Sequence, residues 1–319
     1  MHSDSRRRVL VGGTLSLASL GFASMTARAE EKYPSRPVEF VVPWGPGGGA
    51  DMLARLVGKM LEASLKISFP VINVPGATGR TGLNKMLSAE ADGHVISIMT
   101  GDTFALLATP NVNWNLEQIT PVAIMIRQPS AFMVAESGPV KTWADFERLA
   151  RTQSLKVAVT GFGSPDDMTV RYFVKRGLKL VSVPFANPGE RYSAILGGHA
   201  DVLYEQPGDV RNLIDSRQIR PVLLFDEKRH PAFTDVPVSK ELGFDITMPQ
   251  LRMITVKAGT DPKRVKMLSD ALEKVARSRD YMKYLEDQLA NPDSYIPASD
   301  ALPFLRGELE AMKKHATAK

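Results

Sequence analysis

The chain has 319 residues, 24% of them charged and 44% hydrophobic, with 40 Lys and Arg against 35 Asp and Glu and no cysteine. That length and composition suit a globular protein with one large core or two smaller ones, and two domains are expected. The missing cysteines exclude disulfides, thiolate metal sites, a cysteine nucleophile and a lipidated N-terminal cysteine.

The formal charge of +5 invites a nucleic-acid or membrane partner only if the body of the chain carries it. It does not: residues 1–29 hold Arg6, Arg7, Arg8 and Arg28 against Asp4, and the remainder has 36 basic and 34 acidic groups. No nucleic-acid partner is expected. Ser5-Arg6-Arg7-Arg8, a weakly apolar run to Met25 and Ala27-Arg28-Ala29 read as a secretory leader cut after Ala29. The paired arginines suggest the twin-arginine route. Val9 and Val11 depart from its usual pattern, which leaves the general secretory route open. No other apolar run approaches ~20 residues, so a soluble periplasmic protein is expected.

Along the mature chain, short apolar runs alternate with helical patterns, the mark of an α/β fold with mostly parallel strands. Strands are predicted at 38–42, 71–73 and 95–99, with helices from about 50, at 81–89 and at 102–108. Further strands follow at 121–127, 131–135, 156–160, 180–183, 202–205 and 221–225. Between them lie a helix opened by Thr142 and Asp145 and helices at 166–176, 190–196 and 209–215. Residues 226–237 read as a loop and 251–257 as an apolar strand standing apart from the others. Helices at 261–276, 280–289 and 299–315 complete the chain and are expected to pack on one sheet, most simply the first. That implies a discontinuous domain 1 (30–126 and 249–319), a domain 2 (127–248), and crossovers near 124–130 and 248–253.

Two glycine-rich loops stand between a strand and a helix, where free backbone N–H groups and the helix dipole attract an anion. The first contains Trp44, Gly47, Gly48, Gly49 and Asp51. It lacks the GxGxxG pattern and the ribose-binding acid of a dinucleotide site, Asn73 standing in that place, and the Gly-Lys-Ser/Thr of a phosphate loop. A tight turn without a ligand is the plain alternative. The second contains Gly161, Gly163, Ser164, Asp166 and Asp167; Ser164 and Asp166 could simply cap the helix. Ligands of open α/β sheets bind at the carboxyl ends of strands, so the two loops can form a clamp.

No GxSxG or HExxH is present, and His94, His199 and His230 suggest neither a triad nor a metal centre. No metal and no cofactor is expected. Asp166, Asp167 and Glu205 could serve acid–base chemistry in a periplasmic enzyme, although capping or solvation is their commoner role.

Tyr33-Pro34-Ser35-Arg36-Pro37, the Val-Val-Pro-x-x-Pro-Gly-Gly-Gly-x-Asp run ending at Asp51, and the stretch from Asn73 to Gly82 resemble the Bug receptor family, the substrate-binding proteins of tripartite tricarboxylate transporters. Ala91-Asp92-Gly93-His94, Val183-Pro184-Phe185, Gly197-Gly198-His199-Ala200-Asp201 and Asp235-Val236-Pro237 continue the likeness in order. The resemblance implies a two-domain Venus-flytrap receptor, a monomer, that binds a small organic carboxylate and passes it to membrane permease subunits. It also leaves open a receptor that serves a membrane sensor kinase. The ligand would meet the two loops and the turn containing Thr100, Asp102 and Thr103, with Asn187, Glu205 and Arg252 as further candidates. Asp167 stands where many relatives carry histidine, and Asn187-Pro188 replaces a lysine-glycine. Citrate is therefore a poor fit. A monocarboxylate with a bulky or aromatic part against Trp44, or a zwitterion whose amine faces Asp166 or Asp167, is expected instead.

Overall fold

The computed structural model describes residues 32–110 and 112–317; the leader read into residues 1–29 lies outside them. β1 (Glu39–Val42) leads through the first glycine-rich loop into α1 (Gly49–Leu65), whose Leu53, Val57 and Leu61 fall on one face and are fully buried. β2 (Val71–Asn73), α2 (Arg80–Ser88), β3 (Val95–Thr100), α3 (Gly101–Ala105) and β4 (Ile119–Gln128) follow.

The chain then passes through Pro129 into β5 (Ser130–Ala135). α4 (Trp143–Thr152) opens on a reciprocal cap, Thr142 Oγ1 accepting from Asp145 N–H and the Asp145 carboxylate accepting from Thr142 N–H. β6 (Leu155–Val159), α5 (Pro165–Val174), β7 (Leu180–Pro184), α6 (Pro188–Leu196), β8 (Val202–Glu205), α7 (Arg211–Asp215) and β9 (Ile219–Phe225) complete this half. The return brings β10 (Gln250–Lys257), α8 (Pro262–Ala276), α9 (Arg279–Asp287), β11 (Ile296–Pro297) and α10 (Ala298–Thr317).

Two sheets result, ordered β11-β4-β10-β3-β1-β2 and β7-β6-β8-β5-β9. Each sheet with its flanking helices is a lobe. β1 to β4 run one way and β10 and β11 the other; β6 to β9 run one way and β5 the other. Most strands are thus parallel in direction, as expected, but the central pairings are antiparallel. β10 lies between β3 and β4 and is antiparallel to both, so the strand that looked solitary in sequence occupies the middle of the first sheet. The chain leaves the first sheet at Gln128 and re-enters at the same end with Gln250, so β10 runs back antiparallel to β4. β4 stays in the first sheet through Arg127 and Gln128, two residues beyond the expected boundary.

The core under the first sheet joins α1 to α8 and α9 through Leu53, Leu268, Leu272 and Tyr281. A second cluster runs from Met99 and Phe104 through Phe132, Phe146 and Phe173 to Leu305 and Met312 of α10. Of the three C-terminal helices, α8 and α9 pack on the first sheet as expected. α10 lies along β4 and also reaches α5, with the Tyr172 and His315 rings 6.2 Å apart. Its 20 residues span roughly 30 Å, enough to bridge both lobes.

Phe132 is fully buried, and the rings of Phe146, Phe173, Tyr204 and Phe225 surround it at 4.9–5.9 Å. Phe132→Ala should lower unfolding stability by about 3–5 kcal/mol, the usual cost of emptying an aromatic core position. Urea denaturation followed by circular dichroism checks this.

Candidate functional site: a closed cleft between the sheets

The helices α1, α3, α5 and α6 all begin just past the carboxyl ends of strands, and their first turns meet where the lobes touch. Gly45 packs on Asn187, Gly48 on Pro188, and Gly161 on Thr78. Thr78 Oγ1 donates to the Phe162 carbonyl at 3.3 Å, and Thr160 Oγ1 lies 3.0 Å from Asp102 Oδ1. The lobes are closed on one another around a small cavity of about 30 Å³. By volume this holds about two water-sized groups.

The two glycine-rich loops are built alike. Gly47 and Gly163 both adopt positive φ (83° and 80°) and donate their N–H to the carboxylate four residues on, Asp51 at 3.0 Å and Asp167 at 2.9 Å. Each carboxylate pairs with an arginine one helical turn further, Arg55 at 2.9 Å and Arg171 at 3.2 Å. Asp51 also accepts from Asn73 Nδ2 at 3.0 Å, and Asp167 from Ser182 Oγ at 2.9 Å. Burial pushes the Asp51 pKa up, but hydrogen bonds from Arg55, Gly47 N–H and Asn73 outweigh it and leave it lowered. Both acids fix loop shape.

The cavity wall is highly charged. Arg191 is 4% exposed and pairs closely with Glu205; Arg252 is 2% exposed and pairs closely with Asp209. Arg252 also donates to Gln128 Oε1 at 2.7 Å and Gln206 Oε1 at 3.3 Å, and Glu205 accepts from Gln206 N–H at 3.1 Å. Such pairs survive burial only when their remaining donors and acceptors are satisfied. The Nε atoms of both arginines are buried and lack a partner among the described residues. The Asp209 carboxylate sits against Gly49 at the positive end of α1, in the place open to an anion. Burial pushes its pKa up, against the pull of Arg252. Asp166, fully enclosed and facing Asp102, is pushed up to about 8, chiefly by burial and then by the neighbouring carboxylate.

Of the residues singled out in sequence, Trp44, Gly48, Gly49, Thr100, Asp102, Glu205 and Arg252 line the cavity. The Trp44 indole N–H donates to Thr100 Oγ1 at 3.1 Å. Gly47, Asp51, Gly161, Gly163, Ser164 and Asp167 shape the loops behind it, Ser164 capping α5 by accepting from Asp167 N–H at 3.3 Å. Asp166 lies one layer back, behind Thr160. Thr103 is buried against Gly79, and Asn187 turns its amide to Glu190 at 2.9 Å. Asp167 faces away from the cavity into its loop, which removes it as a partner for a ligand amine.

Sequence reasoning missed Thr160, Arg191, Tyr192, Gln206, Asp209 and Gln250, which complete the wall. Arg191 and Asp209 had no local signal, being polar residues of an ordinary helix and turn. The paired Gly-x₃-Asp-x₃-Arg spacing of the two loops was readable and would have assigned Asp51 and Asp167 to loop shape. Among the described residues no group of three or more His, Cys, Asp or Glu side chains could hold a metal, and no helix is long and apolar enough to cross a membrane.

Two α/β lobes closing on a polar pocket at strand ends define a two-domain solute-binding receptor. Residues 53–314 match the model of the tripartite tricarboxylate transporter family receptor, and the chain belongs to that family. A protein of Cupriavidus necator described as lying in the gbd 5' region is 28% identical over 284 residues, 86% of this chain and 85% of its own. Among solved structures, MatC of Rhodopseudomonas palustris with bound malate shares 22% identity at a TM-score of 0.82, covering 89% of this chain and all of its own. A second R. palustris protein, with adipate, shares 23% at 0.81, covering 89% and 98%. Family membership makes the chain a receptor and not an enzyme.

A Cβ on Gly48 would lie 2.5 Å from Pro188 Cγ in the opposite lobe. Gly48→Leu should hold the lobes apart: small-angle scattering should give a larger radius of gyration at unchanged helical content. The raised Asp166 pKa means that the folded protein holds a proton the unfolded chain releases, so this group's contribution is present at low pH and is lost as pH rises towards about 8. Between pH 6 and 8 the wild type should lose on the order of 2 kcal/mol of stability that Asp166→Asn does not, as read from urea unfolding across that range.

Proposed function

We propose that this protein is a periplasmic receptor that captures a small carboxylate-bearing solute between its lobes and delivers it to membrane permease subunits of a tripartite tricarboxylate transporter. The convergence of Arg191, Arg252 and the start of α6 on one cavity carries this reading. A carboxylate there meets two guanidinium groups and the backbone N–H groups at the start of α6, in a setting of low polarisability where each interaction is strong. The malate and adipate held by the two R. palustris proteins are small carboxylates, which supports the same class of ligand here.

The lobes divide near residues 129 and 249, so that the paired strands at the crossover act as the hinge, and the receptor works as a monomer. Ligand-forming residues are Trp44, Gly48, Gly49, Thr100, Asp102, Glu205 and Arg252, joined by Arg191 and Thr160.

Calorimetry with malate, succinate, adipate, citrate and benzoate tests this. At least one compact acid should bind with a dissociation constant in the micromolar range or below and be recovered unaltered. Arg252→Gln should weaken that binding at least tenfold, a single charge-assisted hydrogen bond being worth about 1.5–3 kcal/mol. Absence of binding by every acid overturns the reading.

A further inference from the structure

Asp102 and Asp166 belong to different lobes, yet one hydroxyl stands between them: Thr160 Oγ1 is 3.0 Å from Asp102 Oδ1 and 2.9 Å from Asp166 Oδ2. A hydroxyl has one proton to give. If Thr160 donates to Asp102, the second contact requires that Asp166 bring a proton of its own. Asp166 is 1% exposed, accepts from Thr160 N–H at 2.6 Å, and its Oδ1 has no partner among the described residues. Asp102 is 3% exposed, lines the cavity and takes one further hydrogen bond, from Gln250 Nε2 at 2.8 Å. The other ionisable groups facing the pair are Arg191 from α6 and Tyr204 from β8.

Charge makes this corner unlike the rest of the cavity. Arg191 and Arg252 are each matched by a close carboxylate, Glu205 and Asp209. Among the described residues no cation forms an ion pair with Asp102 or Asp166; Arg191 acts on Asp166 only from beyond ion-pair distance.

We propose that Asp102, backed by Thr160 and Asp166, is a subsite for a protonated nitrogen on the ligand, so that the captured solute is a zwitterion with an ammonium group beside its carboxylate. This rests on the carboxylate reading above and specifies the other end of the molecule. An ammonium group is about the size of a water and fits the space present. Its N–H groups donate to Asp102, which relieves the pair of its need for a shared proton, and that proton leaves to solvent as the ligand enters. The ligand carboxylate lies towards Arg191 and Arg252.

Calorimetry with matched acids tests the subsite: succinate against aspartate, glutarate against glutamate, and adipate against 2-aminoadipate, each in phosphate and in Tris at pH 7. In at least one pair the amino acid should bind tenfold or more tightly, with an apparent enthalpy that changes with buffer because a proton is released. Asp102→Asn should reverse the order, weakening the amino acid and strengthening its amine-free partner. Should that variant fail to fold, Thr160→Val reads the same point, since it should reduce the preference and abolish the proton release. Equal affinities within each pair, or a preference untouched by either variant, overturn the subsite while leaving the carboxylate reading intact. If no acid of either set binds, the carboxylate reading fails and this one with it.

Discussion

Where β10 returns to the first sheet, the guanidinium of Arg252 meets the Asp209 carboxylate from the loop after β8, and also donates to Gln128 and Gln206. Taking such charges out of water costs several kcal/mol per ion, and breaking one partner of a buried pair costs about 3–5 kcal/mol. The pair therefore fixes how the ends of β4, β8 and β10 sit relative to one another, and everything else in the cleft is placed from there. Gln206 extends the network to Ser130 at 3.1 Å, and Ser130 to the Met248 carbonyl at 3.1 Å, so that both crossings of the chain between sheets are hydrogen-bonded to it.

This arrangement explains why the sheets mix parallel and antiparallel neighbours. β1, β2 and β3 form one parallel set, and β6, β7 and β8 another. The strands that knit the lobes together, β4, β5 and β10, enter as antiparallel partners. α10 adds an apolar tie from β4 to α5. Closure over the cleft is thus limited by two crossings of the chain and one helix, while the rims meet through small contacts such as Thr78 to Phe162 that can part at little cost.

The same helix-start chemistry serves opposite purposes in different corners. At α1 the favourable end is occupied by the protein's own Asp209, whereas at α3 and α5 the first turns carry Asp102 and Asp166, acids that helix starts stabilise but that burial and mutual repulsion oppose. Family likeness reaches the fold and the class of function. The pattern of matched and unmatched charges depends on four acids and two arginines drawn from separate elements.

The alternation of strands and helices, the two glycine-rich loops and the helix starts at Thr142, Ser164 and Asp261 were legible in sequence because each is a local preference of a few neighbouring residues. So was the neutrality of the body once residues 1–29 were set aside. The direction of β10, the reach of α10 and the partners of Glu205 and Arg252 were not legible. Asp209 and Arg252 lie 43 residues apart, Asp102 and Thr160 lie 58 apart, and neither member of either pair differs locally from a solvated residue. By itself the sequence determined which segments would be strands, helices and glycine-rich turns at strand ends, since those follow from local sterics and periodicity. Only the tertiary structure decided which charges would be shut away together, because burial and pairing are properties of the closed cleft and not of any segment that forms it.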